Sequence, residues 1–176
     1  MAMTLLTTNT SSSASASSFT SSIDSTYPLY IFKIIDLGPE TDNKQFTFAG
    51  STDGGSSYGV TKTTTLFDAN HTEGDVTELT YETGDDHAQS TTAARIARSV
   101  GSGSDESAAG TVWLFNPSNT TYVKHFYSRI NEYAGSDRIT DNYGAGYFNT
   151  TSAINAVQFA MASGDFDAVI KMYGVG

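Results

Sequence analysis

The sequence predicts an all-β chain, namely an antiparallel β-sandwich that is jelly-roll-like and is preceded by an extended Ser-rich N-terminal arm. Short runs rich in aromatic and β-branched residues alternate with Gly, Pro, Asn and Asp turn signals, which indicates about nine or ten strands. No segment shows a clear helical periodicity, and the lack of a fixed-period repeat argues against a propeller or a β-helix shaft. The length of 176 residues fits one domain.

The first 22 residues are the predicted arm, and residues 23–176 are the predicted sandwich domain. Residues 11–18 read Ser-Ser-Ser-Ala-Ser-Ala-Ser-Ser, a low-complexity segment that is too polar to build a core. An ordered arm needs a docking surface, either on its own domain or on a neighbouring copy. We therefore expect a docking or oligomer contact here.

In the first half of the domain, strands are predicted from apolar runs. Residues 27–37 give the strongest prediction, because the run is aromatic and β-branched and stops at Gly38-Pro39. Residues 45–48 alternate with period two, which is typical of a strand buried on one face. The other predictions are a strand over 60–68, a polar loop over 68–86 with a short strand at 76–81, and a strand over 91–100, where one helical turn is the alternative.

The second half carries further strand signals. Residues 111–115 form a predicted strand that ends at Asn116-Pro117. Residues 121–130 alternate, which places His125 on one face of a strand and Phe126 on the other. The remaining predictions are a flexible acidic loop over 101–110, a short strand over 145–148, and a closing hairpin whose strands, 156–161 and 166–173, are joined by residues 162–165.

The charge balance excludes several classes of partner. The chain has 19 Asp and Glu against 9 Lys and Arg, for a net charge of −10, and its basic residues are scattered. Nucleic-acid binding is not predicted, because a phosphate backbone needs clustered Lys and Arg. Neither a membrane insertion nor a secretory signal is predicted from the apolar content. Without Cys, disulfides and thiolate chemistry are excluded.

No catalytic residue, metal site or cofactor is predicted. The three histidines lack metal-helix spacing, and the serines lack a nucleophile elbow. His125 is predicted to be a packed or hydrogen-bonded structural histidine, and His87 follows the acidic pair Asp85-Asp86 in a polar loop. Acidic residues cluster in segments predicted to be solvated loops. Loop-bound calcium at Asp53 or at residues 165–167 stays an open alternative.

The candidate binding residues are Tyr58, Tyr133 and Tyr143, which the predicted strands leave in loops. A flat ring with a polar tip suits the face of a sugar, so a glycan contact is one interpretation. A subunit interface is the second, because tyrosine is enriched there. The third is that the three rings cover the ends of the sandwich.

The chain after the arm resembles a known family over most of its length, and the resemblance rests on particular segments of turns and strands. They are residues 19–27 (FTSSIDSTY), 46–48 with 51–58 (FTF, STDGGSSY), 116–125 (NPSNTTYVKH), 146–154 (GYFNTTSAI) and 163–164 with 170–174 (SG, IKMYG). In these segments the chain resembles small structural proteins of tailed, mainly marine, bacteriophages. The resemblance implies a virion location and a jelly-roll-like sandwich, and it assigns no functional residues.

The resulting hypothesis is a non-enzymatic phage virion protein, a capsid decoration or fibre/knob subunit that is exposed on the particle surface and assembled in the host cytoplasm. The expected partners are other copies of the chain, with a trimer by analogy, and a capsid or tail anchor protein. The alternative is a receptor-binding, lectin-like module of a tail fibre that recognises host surface glycans. A small hydrolase acting on a cell envelope is the third hypothesis.

Overall fold

The computed structural model describes residues 2–176, and these residues are all-β, which confirms the all-β part of the predicted fold class. Within this range there is no helix long and apolar enough to cross a membrane. The strands are β1 (Met3–Ala14), β2 (Ser17–Phe19), β3 (Leu29–Pro39), β4 (Lys44–Ser51), β5 (Lys62–Thr72), β6 (Thr77–Tyr81), β7 (His87–Ser90), β8 (Ala94–Val100), β9 (Ala108–Phe115), β10 (Lys124–Ala134), β11 (Arg138–Phe148), β12 (Ala156–Met161) and β13 (Phe166–Val175).

The strands form one antiparallel sheet. Its main hydrogen-bonded path runs β1-β13-β3-β9-β10-β8-β4-β12-β2, and β11, β5, β6 and β7 branch from β10. The two ends of the path, β1 and β2, are consecutive in the chain and contact each other. The sheet therefore curls back on itself and is nearly barrel-shaped.

Most residues of the predicted arm lie on strands of the same domain. β1 runs along β13 from the Met3–Val175 pair to the Ala14–Phe166 pair, and β2 pairs with β12. The side chains of β1 are largely exposed, although Leu6 packs against the core. Backbone hydrogen bonds to β13 therefore hold β1 in place, and such bonds do not require an apolar side-chain pattern.

The core is built from alternate residues of these strands, and phenylalanine rings fill its centre. Phe48 lies between Phe32, Phe126, Phe148 and Phe159, with ring centroids 5.2 to 6.3 Å apart. The rings meet in tilted or edge-on arrangements, which aromatic quadrupoles favour. The period-two pattern that predicted the strands thus marks the side chains that meet in this core.

The predicted closing hairpin is wrong. β12 pairs with β4 and β2, whereas β13 pairs with β3 and β1. Residues 162–165 carry the chain between these two parts of the sheet: Ala162 N donates to Gln45 O at one end, and Glu40 N donates to Asp165 O at the other. The two strands are neighbours in sequence and not in hydrogen bonding, because each finds a longer-range partner.

β5 and β11 are longer than predicted. They pair with each other over their full length, from the Lys62–Phe148 pair to the Thr72–Arg138 pair. Residues 68–72 therefore belong to a strand, which corrects the start of the predicted loop over 68–86. The short strand predicted at 76–81 is confirmed as β6, and the strand predicted over 91–100 is confirmed as β8, not the helical turn.

Candidate binding surfaces and buried polar clusters

The side chains of β10 alternate between core and solvent. Phe126 and Ile130 are buried, whereas His125, Tyr127 and Arg129 are exposed. β9, β11 and β5 continue these rows in register. One surface of the sheet, which we call the outer face, therefore presents aromatic and charged side chains to solvent.

Large apolar side chains are concentrated at one corner of the outer face. This apolar corner consists of Phe67 on β5, Leu79 and Tyr81 on β6, Ile139 on β11, and Val76 in the turn before β6. Phe67 pairs with Tyr81, and Leu79 is 73% exposed. β6 pairs only with β5, so it lies at an edge of the sheet. Edges and apolar patches of this kind are typical of surfaces that other chains cover.

Tyr143 borders the apolar corner. The Tyr143 ring, on β11, stacks on the Phe67 ring with centroids 4.9 Å apart. Arg129 Cζ lies 5.0 Å from the centroid of the Tyr143 ring. Its hydroxyl donates to Asp141 Oδ2 at 3.0 Å, and this bond raises the pKa of Tyr143. Both the ring and its hydroxyl are thus engaged within the chain.

The other two predicted tyrosines lie elsewhere. The Tyr133 hydroxyl on β10 donates to Glu73 Oε1 at 3.3 Å. Tyr58 lies between β4 and β5, and a Cβ on Gly55 would stand 2.7 Å from its hydroxyl oxygen. The loop location is confirmed for Tyr58 and wrong for Tyr133 and Tyr143, because β10 and β11 extend further towards their common turn than predicted. The three rings thus lie on separate elements.

The histidines are not arranged as the sequence suggested. His125 is exposed on the outer face, 6.1 Å between ring centroids from Tyr147, so the predicted packed or hydrogen-bonded role is wrong. Its position follows from the strand alternation that buries Phe126. The His87 ring lies with Nε2 3.0 Å from Ala93 O.

The carboxylates beside His87 are occupied elsewhere. Asp85 pairs with Arg95 and Arg98, and Asp86 Oδ2 accepts from the Tyr81 hydroxyl at 2.7 Å. The acidic pair therefore does not orient the imidazole of His87 through these bonds.

A buried ionic cluster lies inside the sheet around Arg98 of β8. Its guanidinium contacts Asp68 at 2.6 Å, Glu82 at 2.8 Å and Asp85 at 2.9 Å. Asp68 is completely buried, and Asp85 is buried as well, which corrects the prediction that these acidic residues are solvated. Burial opposes the charge of Arg98, but the hydrogen bonds that its guanidinium donates to Asp85 and Asp68, together with the charges of Glu82 and Asp68, outweigh burial and raise the pKa of Arg98.

Glu132 connects β10 to β8. The two strands share one bridge, Ala134–Val100, and the buried Glu132 carboxylate accepts from Arg98 N at 3.1 Å and Ser99 N at 3.0 Å. The side chain thus satisfies backbone donors of β8. Burial raises the pKa of Glu132 to about 7, although these two hydrogen bonds favour the ionised form.

Two buried lysines flank Phe148, which pairs with both. Lys62 Nζ donates to Thr92 O at 2.8 Å, and burial lowers its pKa to about 8. Lys124 Nζ donates to Tyr122 O at 3.0 Å and to Thr150 O at 3.1 Å, and burial lowers the pKa of Lys124. Both lysines thus hold neighbouring loops in place by donating to backbone carbonyl oxygens of those loops. The sequence signal for their burial was strand alternation, because Lys62 lies on the same face of its strand as Leu66, and Lys124 on the same face as Phe126.

Among residues 2–176, no group of three or more His, Asp or Glu side chains is placed to hold a metal ion. The Asp53 carboxylate considered for calcium accepts from Ser51 Oγ at 2.6 Å and from Ser57 N at 2.9 Å. Asp167 Oδ1 accepts from Ser13 N at 2.7 Å. These contacts close a turn and attach β1.

Comparison with known proteins gives no match: no family model and no curated protein matches the chain. The resemblance to phage structural proteins therefore stays a prediction from the sequence.

Proposed function

We propose that the chain is a non-enzymatic structural protein of a phage-type virion, a capsid decoration or fibre/knob subunit that assembles with copies of itself on the particle surface. The virion location rests on the sequence resemblance. The assembly role rests on one observation, the apolar corner formed by Phe67, Val76, Leu79, Tyr81 and Ile139.

The position of the corner supports self-assembly. Exposed apolar side chains on an edge strand favour contact with another chain, and a head-to-tail contact whose rotation closes generates a ring such as a trimer. Burying a leucine side chain stabilises by roughly 1.5–3 kcal/mol, so the exposed part of Leu79, at 73%, represents about 1–2 kcal/mol per contact.

The non-enzymatic role is supported by how the ionisable groups are used. Asp68, Glu82 and Asp85 contact Arg98, and the Glu132 carboxylate accepts from backbone N–H groups of β8. These are contacts that hold strands together. His71 pairs with the exposed Asp75 at 3.1 Å, His125 is exposed on the outer face, and His87 Nε2 lies 3.0 Å from the backbone oxygen of Ala93.

A jelly-roll-like sandwich is the finer architecture that we propose. The single bridge between Ala134 and Val100 divides the main path into two groups of strands, which favours two facing layers. The Ser-rich β1, held along β13 with few side chains in the core, is the segment that we expect to contact an anchor protein or a neighbouring copy.

Sedimentation velocity over a range of protein concentrations tests the assembly role. We expect the full chain to self-associate and Leu79→Ser to weaken that association roughly tenfold, because the substitution removes apolar area from the contact. Tyr122→Ser is the matched control, since Tyr122 is 71% exposed but lies outside the corner. A chain that stays monomeric, or equal effects of the two substitutions, would contradict self-assembly through the corner.

The virion role needs a separate experiment. A tagged full chain, expressed during infection by a phage that encodes it, is expected to co-sediment with intact particles and to be accessible to a tag antibody. A tag found only in the soluble fraction would refute the virion location and leave the sedimentation result unaffected.

A further inference from the structure

A groove of about 540 Å³ lies where β9 ends and β10 begins. We call it the end groove. Its volume falls within the range of small-molecule sites, roughly 300–1,000 Å³. Three rings line it, those of Phe115, Tyr122 and His125, and Tyr122 is 71% exposed. The groove is thus open to solvent and carries ring surface that a ligand can cover.

Amides and hydroxyls make up most of the polar lining. They belong to Asn116, Asn119, Thr121 and Thr151, the His125 imidazole adds a third polar type, and among residues 2–176 no Asp, Glu, Lys or Arg lines the groove. Amides and hydroxyls both donate and accept, as sugar hydroxyls do. Rings offer an apolar face to the C–H side of a sugar. In a chain of net charge −10, an uncharged groove favours an uncharged ligand.

The wall between β9 and β10 is preformed. Asn116 N donates to Pro28 O at 2.6 Å, and Asn119 N donates to Asn116 O at 3.1 Å. Asn119 Oδ1 accepts from Thr121 N at 2.7 Å and from Tyr122 N at 2.8 Å. These bonds use the amide oxygen of Asn119, so its Nδ2 remains a donor for a ligand hydroxyl.

The buried Lys124 connects two walls of the groove. Its Nζ donates to Tyr122 O on one side and to Thr150 O, adjacent to Thr151, on the other. Burying a charged lysine costs free energy. An apolar residue would avoid this cost if the side chain at this position served only to fill space. Lys124 thus acts as a positioning residue that sets the distance between Tyr122 and Thr151.

We propose that the end groove binds a neutral saccharide through the Phe115 and Tyr122 rings and the Asn119 amide. A smaller depression on the outer face, of about 310 Å³ and lined by Trp113, Arg129 and Asp141, presents an ion pair instead. The absence of Asp, Glu, Lys and Arg from its lining distinguishes the end groove from this depression and favours neutral sugars over sialylated or sulfated ones.

This site is independent of self-assembly through the apolar corner. The nearest corner residue in register is Phe67, which pairs with Tyr143, and Tyr143 pairs with Arg129, four residues after His125 on β10. Four residues of strand span about 13 Å, and two strand spacings separate Phe67 from β10. A chain that fails to self-associate would therefore still bind a saccharide, and the two proposals fail separately.

Titration of the ¹⁵N-labelled full chain, followed by NMR, tests the proposal. The probes are maltotriose, cellotriose, mannotriose and chitotriose at millimolar concentration, with 3′-sialyllactose as the charged counterpart. We expect at least one neutral trisaccharide to give saturable shifts in the amides of residues 115–125 and 150–152. Tyr122→Ala should weaken this binding about tenfold, because it removes a stacking ring, and Tyr122→Phe should retain it.

Two more variants serve as a control for Tyr122→Ala and as a test of Lys124. Tyr133→Ala removes a tyrosine ring near the far end of β10, outside the groove, and should leave the affinity unchanged. Lys124→Met should weaken binding while preserving the shifts of distant amides, and if it fails to fold, Tyr122→Ala decides. The proposal is overturned if no neutral probe gives saturable shifts, if they map outside the groove, if Tyr122→Ala binds as the parent does, or if sialyllactose binds best.

Discussion

Replacing Arg98 by Met removes the cation at the centre of the buried ionic cluster. Arg98 contacts Asp68 at 2.6 Å, Glu82 at 2.8 Å and Asp85 at 2.9 Å. The Met side chain fills much of the arginine stem and supplies no hydrogen-bond donor. The variant therefore leaves three carboxylates near one another, of which Asp68 is completely buried.

The expected loss of stability follows from this geometry. Removing one partner of a buried ion pair costs about 3–5 kcal/mol, because the remaining charge is left uncompensated. Partial solvent access to the Arg98 side chain, 24% exposed, favours the lower end, so we expect about 3 kcal/mol. That is a large part of a typical stability of about 5–15 kcal/mol.

Urea unfolding at neutral pH measures the effect, with Arg129→Met as the control. Arg129 forms a well-aligned pair with Asp141, but its side chain is 59% exposed, so its removal should cost less than about 1 kcal/mol. The midpoint should fall for Arg98→Met with little change in the slope. Equal losses for the two variants, or a loss below about 1 kcal/mol for Arg98→Met, would refute the role of the cluster.

Two further predictions concern Glu132 and Gly174. Burial raises the pKa of Glu132 from its ordinary value of 4.5 to about 7, so over this range the folded chain keeps the carboxyl proton that the unfolded chain releases. The free energy of unfolding, measured with urea, should therefore fall by about 3 kcal/mol as pH rises from 4.5 to about 7. Glu132→Gln should remove this decline, and an unchanged dependence of the unfolding free energy on pH would contradict the prediction. Gly174→Ala places a Cβ against the Tyr27 ring and should lower the unfolding free energy by about 1–3 kcal/mol. Tyr27→Ala should relieve most of this loss in the double variant, and strict additivity of the two substitutions would contradict the contact.

The fold class and several strand interiors were predictable from local pattern. On β10, alternation placed Phe126 opposite in orientation to His125, and the structure buries the first and exposes the second. The same physics predicted β3 from its aromatic and β-branched run. Period-two burial is a property of neighbouring residues, so one sequence can show it.

Strand pairing was not predictable in the same way. β12 and β13 look like a hairpin along the chain, but β13 pairs with β1 and β3, which lie far away in sequence. The polar β1 is held by backbone bonds, which every residue except proline can donate and accept. Its side chains therefore carry no signal of the partner strand.

The buried charges show the same limit. Asp68 and Asp85 looked like solvated loop residues, and Arg98, thirty and thirteen residues away, supplies the cation that makes their burial stable. Lys124 looked like one of nine scattered basic residues, although its carbonyl partners at Tyr122 and Thr150 explain its burial. The burial of a charged residue cannot be predicted from its sequence neighbours when its partner lies on a distant strand or loop.

Hydrogen exchange of the full chain at low and high protein concentration tests the central claim most directly, because it reports which residues copies of the chain cover. We expect amides of residues 76–81 and 139–143 to exchange more slowly at high concentration, while those of residues 115–125 stay unchanged. Concentration-independent exchange at the apolar corner, or slowing confined to other segments, would contradict assembly through this surface.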